Sequence, residues 1–274
     1  MKPQEYDVPR AGWVNPFAVI AGFVTKTMVI IELEIRKLHH DPTELIMRAV
    51  QPALWLLVFG QVMSNRFIIS GNVNYKDFIA PGILAQSVLF IAIFYGISII
   101  WERDLGIVHK FLVTPTPRAA LVLGKALSAG VRALSQVLII YSLSLIVGVK
   151  INWNPFALLG VVIIVILGAS FFSTLSLVIA CLVKTRERFM GIGQVITMPL
   201  FFASNAIYPI DIMPPWLKVV AHVNPLTYEV DALRSMMLAG VPNVYGFATD
   251  FGVLLLATVI LVALGSKLYP NVVT

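Results

Sequence analysis

The sequence predicts an all-α integral membrane protein, because long apolar runs dominate it and its charges lie between those runs. The 274 residues are 58% hydrophobic and 12% charged, with a mean hydropathy of +0.88. A soluble domain carries about 25% charged residues, so water is not the main solvent of this chain. We attribute the net charge of +6 to loops beside anionic lipid and expect no nucleic-acid partner.

Six apolar segments are long enough for membrane-spanning helices, since crossing a hydrocarbon core takes about 20 residues. They are residues 44–64, 78–100, 125–149, 155–183, 188–208 and 246–268. Pro52 in the first segment and Pro199 in the fifth each remove a backbone hydrogen bond. In a bilayer the freed carbonyls need protein partners, so we expect both helices to pack against other helices.

Two further segments have helical patterns but carry too many polar residues to span. Residues 17–41 combine apolar side chains with charges in their second half. This predicts an amphipathic helix in the membrane interface rather than a seventh span. Residues 214–240 predict one or two short helices on the outer side that can dip inward. We expect one domain over residues 1–274, with a tail at 1–16, the interfacial helix, and a six-span domain at 42–268.

Lys and Arg predict the orientation, because cations accumulate in the cytoplasmic loops of membrane proteins. With a cytoplasmic N-terminus, 15 of the 20 Lys and Arg residues lie in inner segments. We therefore expect a multi-pass protein of the cytoplasmic (inner) membrane, with both termini in the cytoplasm. The first 16 residues are polar and contain proline, so a cleavable signal peptide is not expected.

The sequence contains no motif for ATP binding, hydrolysis or metal chelation. Gly124-Lys125 is followed by Ala126, where a P-loop needs Ser or Thr. Cys181 is the only cysteine, which excludes a cysteine metal cluster. We expect no catalytic residue, and no metal or cofactor bound by this chain. Acidic residues lie near the ends of the predicted spans, which argues against a transporter driven by protons or sodium.

His39-His40-Asp41 is the one cluster that suggests acid–base or metal chemistry. It would suit an integral membrane enzyme that modifies lipids. Adjacent residues on a helix point about 100° apart, so the two histidines are poorly placed to bind one ion. The favoured interpretation is a helix end, with Asp41 as the N-cap and Pro42 as the first residue of the next helix.

Polar and small residues within the spans are candidates for a transport path or for helix packing. The candidates for a substrate path are Gln86, Tyr95, Gln194 and Asn205. Small residues more often serve contacts between helices, and we expect this of Gly168, Gly191 and Gly193.

Four patches of the sequence resemble the ABC-2 type transporter membrane family. The first, at residues 41–60, is similar to the start of the family's first span. Residues 101–118, WERDLGIVHKFLVTPTPR, resemble its E-R-E-x-G-T-x-E-x-L-x-x-T-P-x-x-R loop. The third patch is PPWL at residues 214–217. The fourth, NPLTYEVDALR at 224–234, is close to the family's N-P-L-T-Y-x-V-D-A-L-R signature.

The resemblance covers about residues 20–268 and implies a half-transporter. Two six-span subunits would pair, either two copies of this chain or this chain and a homologous permease. Two separate ABC ATPase subunits, which bind ATP and Mg²⁺, would dock on the pair. The helix at 17–41 is similar to the family's connecting helix. Asp104 replaces the family's usual Glu, and His109-Lys110 stands where a Glu and a basic residue are frequent, which leaves the identity of the ATPase open.

The resemblance also assigns residues 101–118 to a cytoplasmic coupling helix that fits a groove on the ATPase. The loop combines charges with apolar anchors, which suits a docking surface better than a solvated loop. The residues expected to couple to the ATPase are Glu102, Arg103, Asp104, Gly106, His109, Lys110 and Phe111.

The signature at residues 224–234 predicts an outer gate. The gate residues are Asn224, Pro225, Tyr228, Asp231 and Arg234. Asn224 before Pro225 is a typical helix start. Asp231 and Arg234 are three residues apart and are expected to pair on one helix face. A buried pair would hold a gate, whereas an exposed pair on a solvated amphipathic helix would contribute little to stability.

Together these patterns predict the membrane-spanning permease subunit of an ATP-driven ABC exporter. The resemblance is closest to the drug-resistance and nodulation-factor export type, so the expected cargo is a hydrophobic or amphipathic small molecule or a lipid-like molecule. A polysaccharide or glycolipid cargo is the alternative. Two other classes stay open: a lipid-modifying membrane enzyme, and a channel or receptor. A neighbouring gene for a P-loop ATPase would favour the exporter.

Overall fold

Helices account for most of the described chain. The computed structural model describes residues 24–25, 27–29, 32, 36, 42–64, 68–69, 73–108, 117–183 and 185–269. The first helix, α1 (Pro42–Leu54), continues through a π-helical turn, Trp55–Gly60, into Gln61–Ser64. The two-residue strands β1 (Ile68–Ile69) and β2 (Val73–Asn74) pair antiparallel. The remaining helices are α2 (Tyr75–Tyr95), α3 (Ile97–Asp104), α4 (Arg118–Val147), α5 (Pro155–Leu182), α6 (Arg186–Phe202), α7 (Pro215–Val223), α8 (Pro225–Met237) and α9 (Phe247–Leu268), with a 3-10 turn at Ile210–Ile212.

Among the described residues, four helical segments are long and apolar enough to cross a membrane. They are Tyr75–Asp104, which joins α2 to α3, and the helices α4, α5 and α9. The all-α membrane prediction is confirmed in this form. The four segments correspond to the predicted spans at 78–100, 125–149, 155–183 and 246–268.

The first and fifth predicted spans form shorter apolar helices. The apolar part of the first is Ala49–Ser64. Helix α6 has 17 residues, or about 26 Å against a hydrocarbon core of about 30 Å. It ends at Phe202, three residues beyond Pro199, and not near residue 208 as predicted. The apolar composition continues into the following turn, so hydropathy alone places this end too late.

Pro52 and Pro199, the two prolines expected to need protein partners, have different surroundings. Pro52 is buried, and the π-helical turn begins three residues after it. Pro199 is exposed, and Ala203 N donates to its carbonyl oxygen at 2.8 Å. Both helices pack against α2, as expected, but only Pro52 is covered by protein.

The ends of α4 and α5 follow from local sequence. Helix α4 begins directly after Pro117 and ends at Gly148, whose φ of 74° is the left-handed conformation that glycine adopts readily. Helix α5 begins with Pro155 at its first position, and the Asn154 side chain accepts a hydrogen bond from Phe156 N. The start of α5 therefore falls at the predicted residue.

Helix α2 lies at the centre of the bundle and is buried along almost its whole length. It packs against α4, α5, α6 and α8, while α5 also contacts α4, α8 and α9. It makes a close backbone contact at Gly82, where an added Cβ would lie 2.2 Å from the carbonyl oxygen of Ala206. Only a residue without a side chain fits this contact.

Most of the predicted interfacial helix lies outside the described residues, as do His39, His40 and Asp41. The parts of residues 17–41 that are described are helical. Within them, Arg36 Nη2 lies 2.7 Å from Glu32 Oε1 one turn away, and both side chains are exposed.

Candidate functional site

A buried ion pair joins α3 to α4 at the end of the bundle that carries the 101–118 loop. Lys125 Nζ donates to Glu102 Oε1 at 2.5 Å, and each side chain is 8% exposed. Two charges in a low-dielectric interior depend on each other, because either one alone would be costly to bury. Glu102 is thus directed into the protein, and the expected docking surface does not include its carboxylate.

Two cations of α4 flank the ring of Tyr95 beside this pair. Arg132 Cζ lies 4.9 Å and Lys125 Nζ 5.7 Å from the ring centroid. Cations over an aromatic face are attracted by the negative charge of its π system. Tyr95, a candidate for the substrate path, instead packs among the charges at this end of the bundle.

Asp104 connects α3 to the first residue of α6. Arg186 Nη2 donates to Asp104 Oδ2 at 2.6 Å, and Arg103 Nη2 donates to Asp104 Oδ1 at 3.1 Å. The Arg186 guanidinium also lies 3.8 Å from the Trp101 ring centroid. Trp101 and Leu105 are large apolar residues that are 49% and 68% exposed. We call Trp101, Asp104, Leu105 and Arg186 the Trp101 face.

Gly106 ends α3 in a turn. Its φ is 70°, and its backbone N donates to Arg103 O at 2.9 Å. The expectation that Gly106 lies inside a coupling helix is therefore wrong. Glycine is strongly favoured here because other residues rarely adopt a positive φ. His109, Lys110 and Phe111 lie outside the described residues.

At the opposite end, the signature 224–234 forms a helix inside the bundle. Asn224 caps α8, with its Oδ1 accepting from Leu226 N at 3.0 Å and its Nδ2 donating to Leu200 O at 2.7 Å. Pro225 is the first helical residue, as the sequence suggested. Helix α8 packs against α2, α5 and α9, so the solvated amphipathic alternative is wrong.

Asp231 and Arg234 are both buried, but each has its own partners. Asp231 Oδ2 accepts from Val244 N at 2.9 Å and Tyr245 N at 3.0 Å. Arg234 Nη2 donates to Asn205 O at 2.7 Å, and its guanidinium lies 3.8 Å from the Phe78 ring centroid. The expected ion pair between them is not formed in the described part of the chain. The two charges hold separate segments against α8.

Tyr228 and Tyr245 form an aromatic contact beside Asp231. Tyr228 donates its hydroxyl to His222 O at 2.7 Å, and its ring centroid lies 5.1 Å from that of Tyr245. Burial is the main cause that raises the pKa of Tyr245 to about 12. The nearby Tyr228 and carboxylates including Asp231 add smaller electrostatic contributions in the same direction. The Tyr245 phenol is therefore neutral at physiological pH.

Sequence reasoning missed Glu229, which is fully buried on α8. It faces Gly168 of α5, where an added Cβ would lie 2.5 Å from each carboxylate oxygen. Gly168 is 13 residues into α5, or about 20 Å along it, so an acidic residue does lie deep in the bundle. The position of Glu229, three residues after Leu226 and four before Leu233, indicated that it lies on a buried helix face, because residues three and four apart share a helix side.

A cavity of about 460 Å³ lies between α1, α2 and α4. Its lining includes Gln51, Gln86, Ser87, Phe90, Phe94 and Gln136. Of the four candidates for a substrate path, only Gln86 reaches it. Gln194 is exposed on α6, and Asn205 contacts Arg234 through its backbone carbonyl. The structure does not bring the four candidates together.

Comparisons with known proteins agree with this architecture. Residues 25–238 match the ABC-2 type transporter family. The putative transport permease ycf38 of Cyanophora paradoxa is 29% identical over 77% of this chain and 74% of its own length. The daunorubicin resistance ABC transporter permease protein DrrB1 of Streptomyces coeruleorubidus is 24% identical over 92% and 88%. The inner membrane transport permease YadH of Escherichia coli K12 is 24% identical over 77% and 80%.

The family match covers most of the chain, and it includes both α3 with its buried ion pair and the signature helix α8. The four membrane-length helices fit a multi-pass membrane protein. The chain therefore belongs to the ABC-2 type transporter family, as a membrane permease subunit of an ABC transporter.

Proposed function

We propose that this permease exports a hydrophobic or amphipathic small molecule or a lipid-like molecule, driven by ATP hydrolysis on a separate ABC ATPase subunit. ATP and Mg²⁺ would bind that partner. The name of the daunorubicin resistance relative, which is similar over 92% of this chain, supports a small-molecule cargo. The name of the inner membrane permease of Escherichia coli supports an inner-membrane location.

The observation that carries this proposal is a continuous structural connection from the Trp101 face to the cavity. The bond between Lys125 and Glu102 fixes α3, which bears the exposed Trp101, to α4. Gln136, in the cavity wall, follows Lys125 by about three turns of α4 and lies on the same helix side. A displacement of α3 by a docked ATPase would therefore move α4 and the cavity together.

We further propose six spans, with α1 and α6 as the two shorter ones and both termini in the cytoplasm. The cation distribution supports this orientation. A second copy or a homologous permease would complete the transporter.

The proposal is tested by co-expressing the permease with a candidate ABC ATPase subunit, purifying any complex that forms, and measuring ATP hydrolysis in nanodiscs. The permease alone should not hydrolyse ATP. Trp101→Ala should weaken the complex, since large exposed aromatic residues contribute strongly to interfaces. Trp153→Ala, a similarly exposed tryptophan beyond the other end of α4, is the matched control.

Equal complex formation by the two tryptophan variants would remove the Trp101 face from the docking surface. Hydrolysis of ATP by the permease without any ATPase subunit would refute the proposal that ATP is hydrolysed on a separate subunit.

A further inference from the structure

We propose that the cavity between α1, α2 and α4 is a binding site for an uncharged aromatic molecule, recognised by the side-chain amides of Gln51, Gln86 and Gln136. That this molecule is cargo rests on the proposed exporter function. The binding itself does not, because it depends only on the residues that form the cavity.

The cavity lies halfway across the predicted membrane. Gln86 is 11 residues from the start of α2, and Gln136 is 11 residues from the end of α4. Both are therefore about 17 Å from the bundle end at which Lys76 Nζ donates to Val147 O. In a hydrocarbon core of about 30 Å, this is the depth at which polar groups are hardest to satisfy.

Gln136 is the strongest sign of a ligand. Its side chain is fully buried, and neither its amide nitrogen nor its amide oxygen has a hydrogen-bond partner among the residues that the structure describes. A glutamine amide offers two donors and an acceptor, and burying them without partners is costly. Gln51 is exposed at the mouth of the cavity, so the amides run from the opening to the floor.

The rest of the lining selects against charge and favours aromatic rings. None of the described side chains that line the cavity is acidic or basic. Among these described side chains an ion would find no counter-charge, and an unpaired charge within the membrane is expensive. Phe90 and Phe94 lie one turn apart, with ring centroids 6.0 Å from each other, and supply an aromatic wall. Aromatic rings pair favourably at such distances.

Two fluorescent dyes with the same ring system test this chemistry. N-phenyl-1-naphthylamine is uncharged and carries one N–H donor, while 8-anilinonaphthalene-1-sulfonate adds a sulfonate to the same anilinonaphthalene. The permease, without any ATPase subunit, is placed in phosphatidylcholine nanodiscs, and energy transfer from its tryptophans to each dye is titrated. We expect saturable binding of the neutral dye, and at least tenfold weaker binding of the anionic one.

Leucine substitutions locate the site. Gln136→Leu should weaken binding of the neutral dye roughly fivefold, which is the loss expected for one uncharged hydrogen bond. Gln51→Leu, at the exposed mouth, should weaken binding without affecting folding. Gln61→Leu makes the same chemical change at an exposed position of the first helix away from the cavity, and should bind like the unchanged protein.

Binding unchanged by both Gln136→Leu and Gln51→Leu, or equal for the two dyes, would overturn the proposal. So would the absence of saturable binding. Binding in detergent that disappears in the nanodiscs would show that phospholipid occupies the cavity and would also overturn it. Because no ATPase is present, failure here leaves the test of the Trp101 face intact.

Discussion

The contact between Lys125 and Glu102 illustrates what a single residue contributes in this bundle. Their positions are 23 residues apart, so no local pattern predicted the bond. The resemblance had placed Glu102 on a surface, yet the ammonium of Lys125 holds it inside. Pairs of this kind arise from the packing of two helices, and they become visible only when that packing is known.

We predict that Lys125→Met lowers the free energy of unfolding by about 3 kcal/mol or more, because it removes an ammonium from a buried carboxylate. Glu102→Gln should have a comparable effect for the reverse reason. The double variant should recover much of the loss, with a coupling of about 1 kcal/mol or more in a double-mutant cycle. Denaturant unfolding of the purified protein in detergent measures all three.

Lys150→Met is the control for this cycle, because Lys150 is exposed and its hydrogen bond to Asp77 comes from its backbone N and not from its side chain. It should change stability little. Additive losses in the double variant would mean that the two side chains do not support each other.

Glycine residues show where sequence reasoning at this scale succeeds and where it does not. Gly168 was expected to allow close contact, and it does so with Glu229. Gly191 was expected to do the same, but no atom of the described residues lies within 4 Å of a Cβ added there. The sequence shows that a glycine is present. Whether that glycine permits a close helix contact depends on the position of the neighbouring helix.

Local sequence predicts some helix ends much better than others. The start of α5 was predictable because Asn154 and Pro155 act within one turn. The end of α6 was not, because Ala206 and its neighbours are apolar yet form a turn packed on α2. A buried turn and a helix have the same hydropathy, and the difference between them is set by the contact partner.

That contact gives a prediction for α2. Gly82→Ala should destabilise the protein by about 1–3 kcal/mol, since the new methyl group would collide with the backbone of Ala206, which cannot rotate away. Thermal unfolding in detergent measures the loss. The structure requires either α2 or the 203–208 turn to shift.

Gly252→Ala is the matched control, because Gly252 lies in α9 and an added Cβ would have no atom within 4 Å in the part of the chain that the structure describes. It should be neutral, or stabilising by up to about 1 kcal/mol from the higher helix propensity of alanine. Equal effects of the two substitutions would show that Gly82 is not at a close contact.

For the whole molecule, the sequence predicted the helical membrane class and the family, because both rest on long apolar runs and on motifs in order. The candidate sites were less predictable. Coupling residues and gate residues were placed at opposite ends of the bundle, but the cavity was not anticipated, because its three amides come from three helices. Gln86 was selected from sequence, whereas its neighbours required the packing of α1 and α4.

Orientation is the prediction that belongs to the whole molecule. Leu105 and Trp153 lie beyond opposite ends of α4 and are both more than half exposed. In a Cys181→Ser background, Leu105→Cys should react with a membrane-impermeant maleimide only from the cytoplasmic side. Trp153→Cys should react only from the outside, because 15 of the 20 cations place the 101–118 end in the cytoplasm. The reverse labelling would invert the topology.

The π-helical turn at Trp55–Gly60 has a consequence for changes in chain length. A π-helical turn contains one residue more than the equivalent α-helical turn. It is therefore equivalent to a one-residue insertion that leaves the helix on either side unchanged. Deleting one residue there would restore α-helical hydrogen bonding. Gln51 before the turn and Val62 after it would each keep the contacts that they make now. The same deletion in the α-helical part of α1 would rotate everything beyond it by about 100°. Natural length variation in this helix is therefore expected to fall between residues 55 and 60.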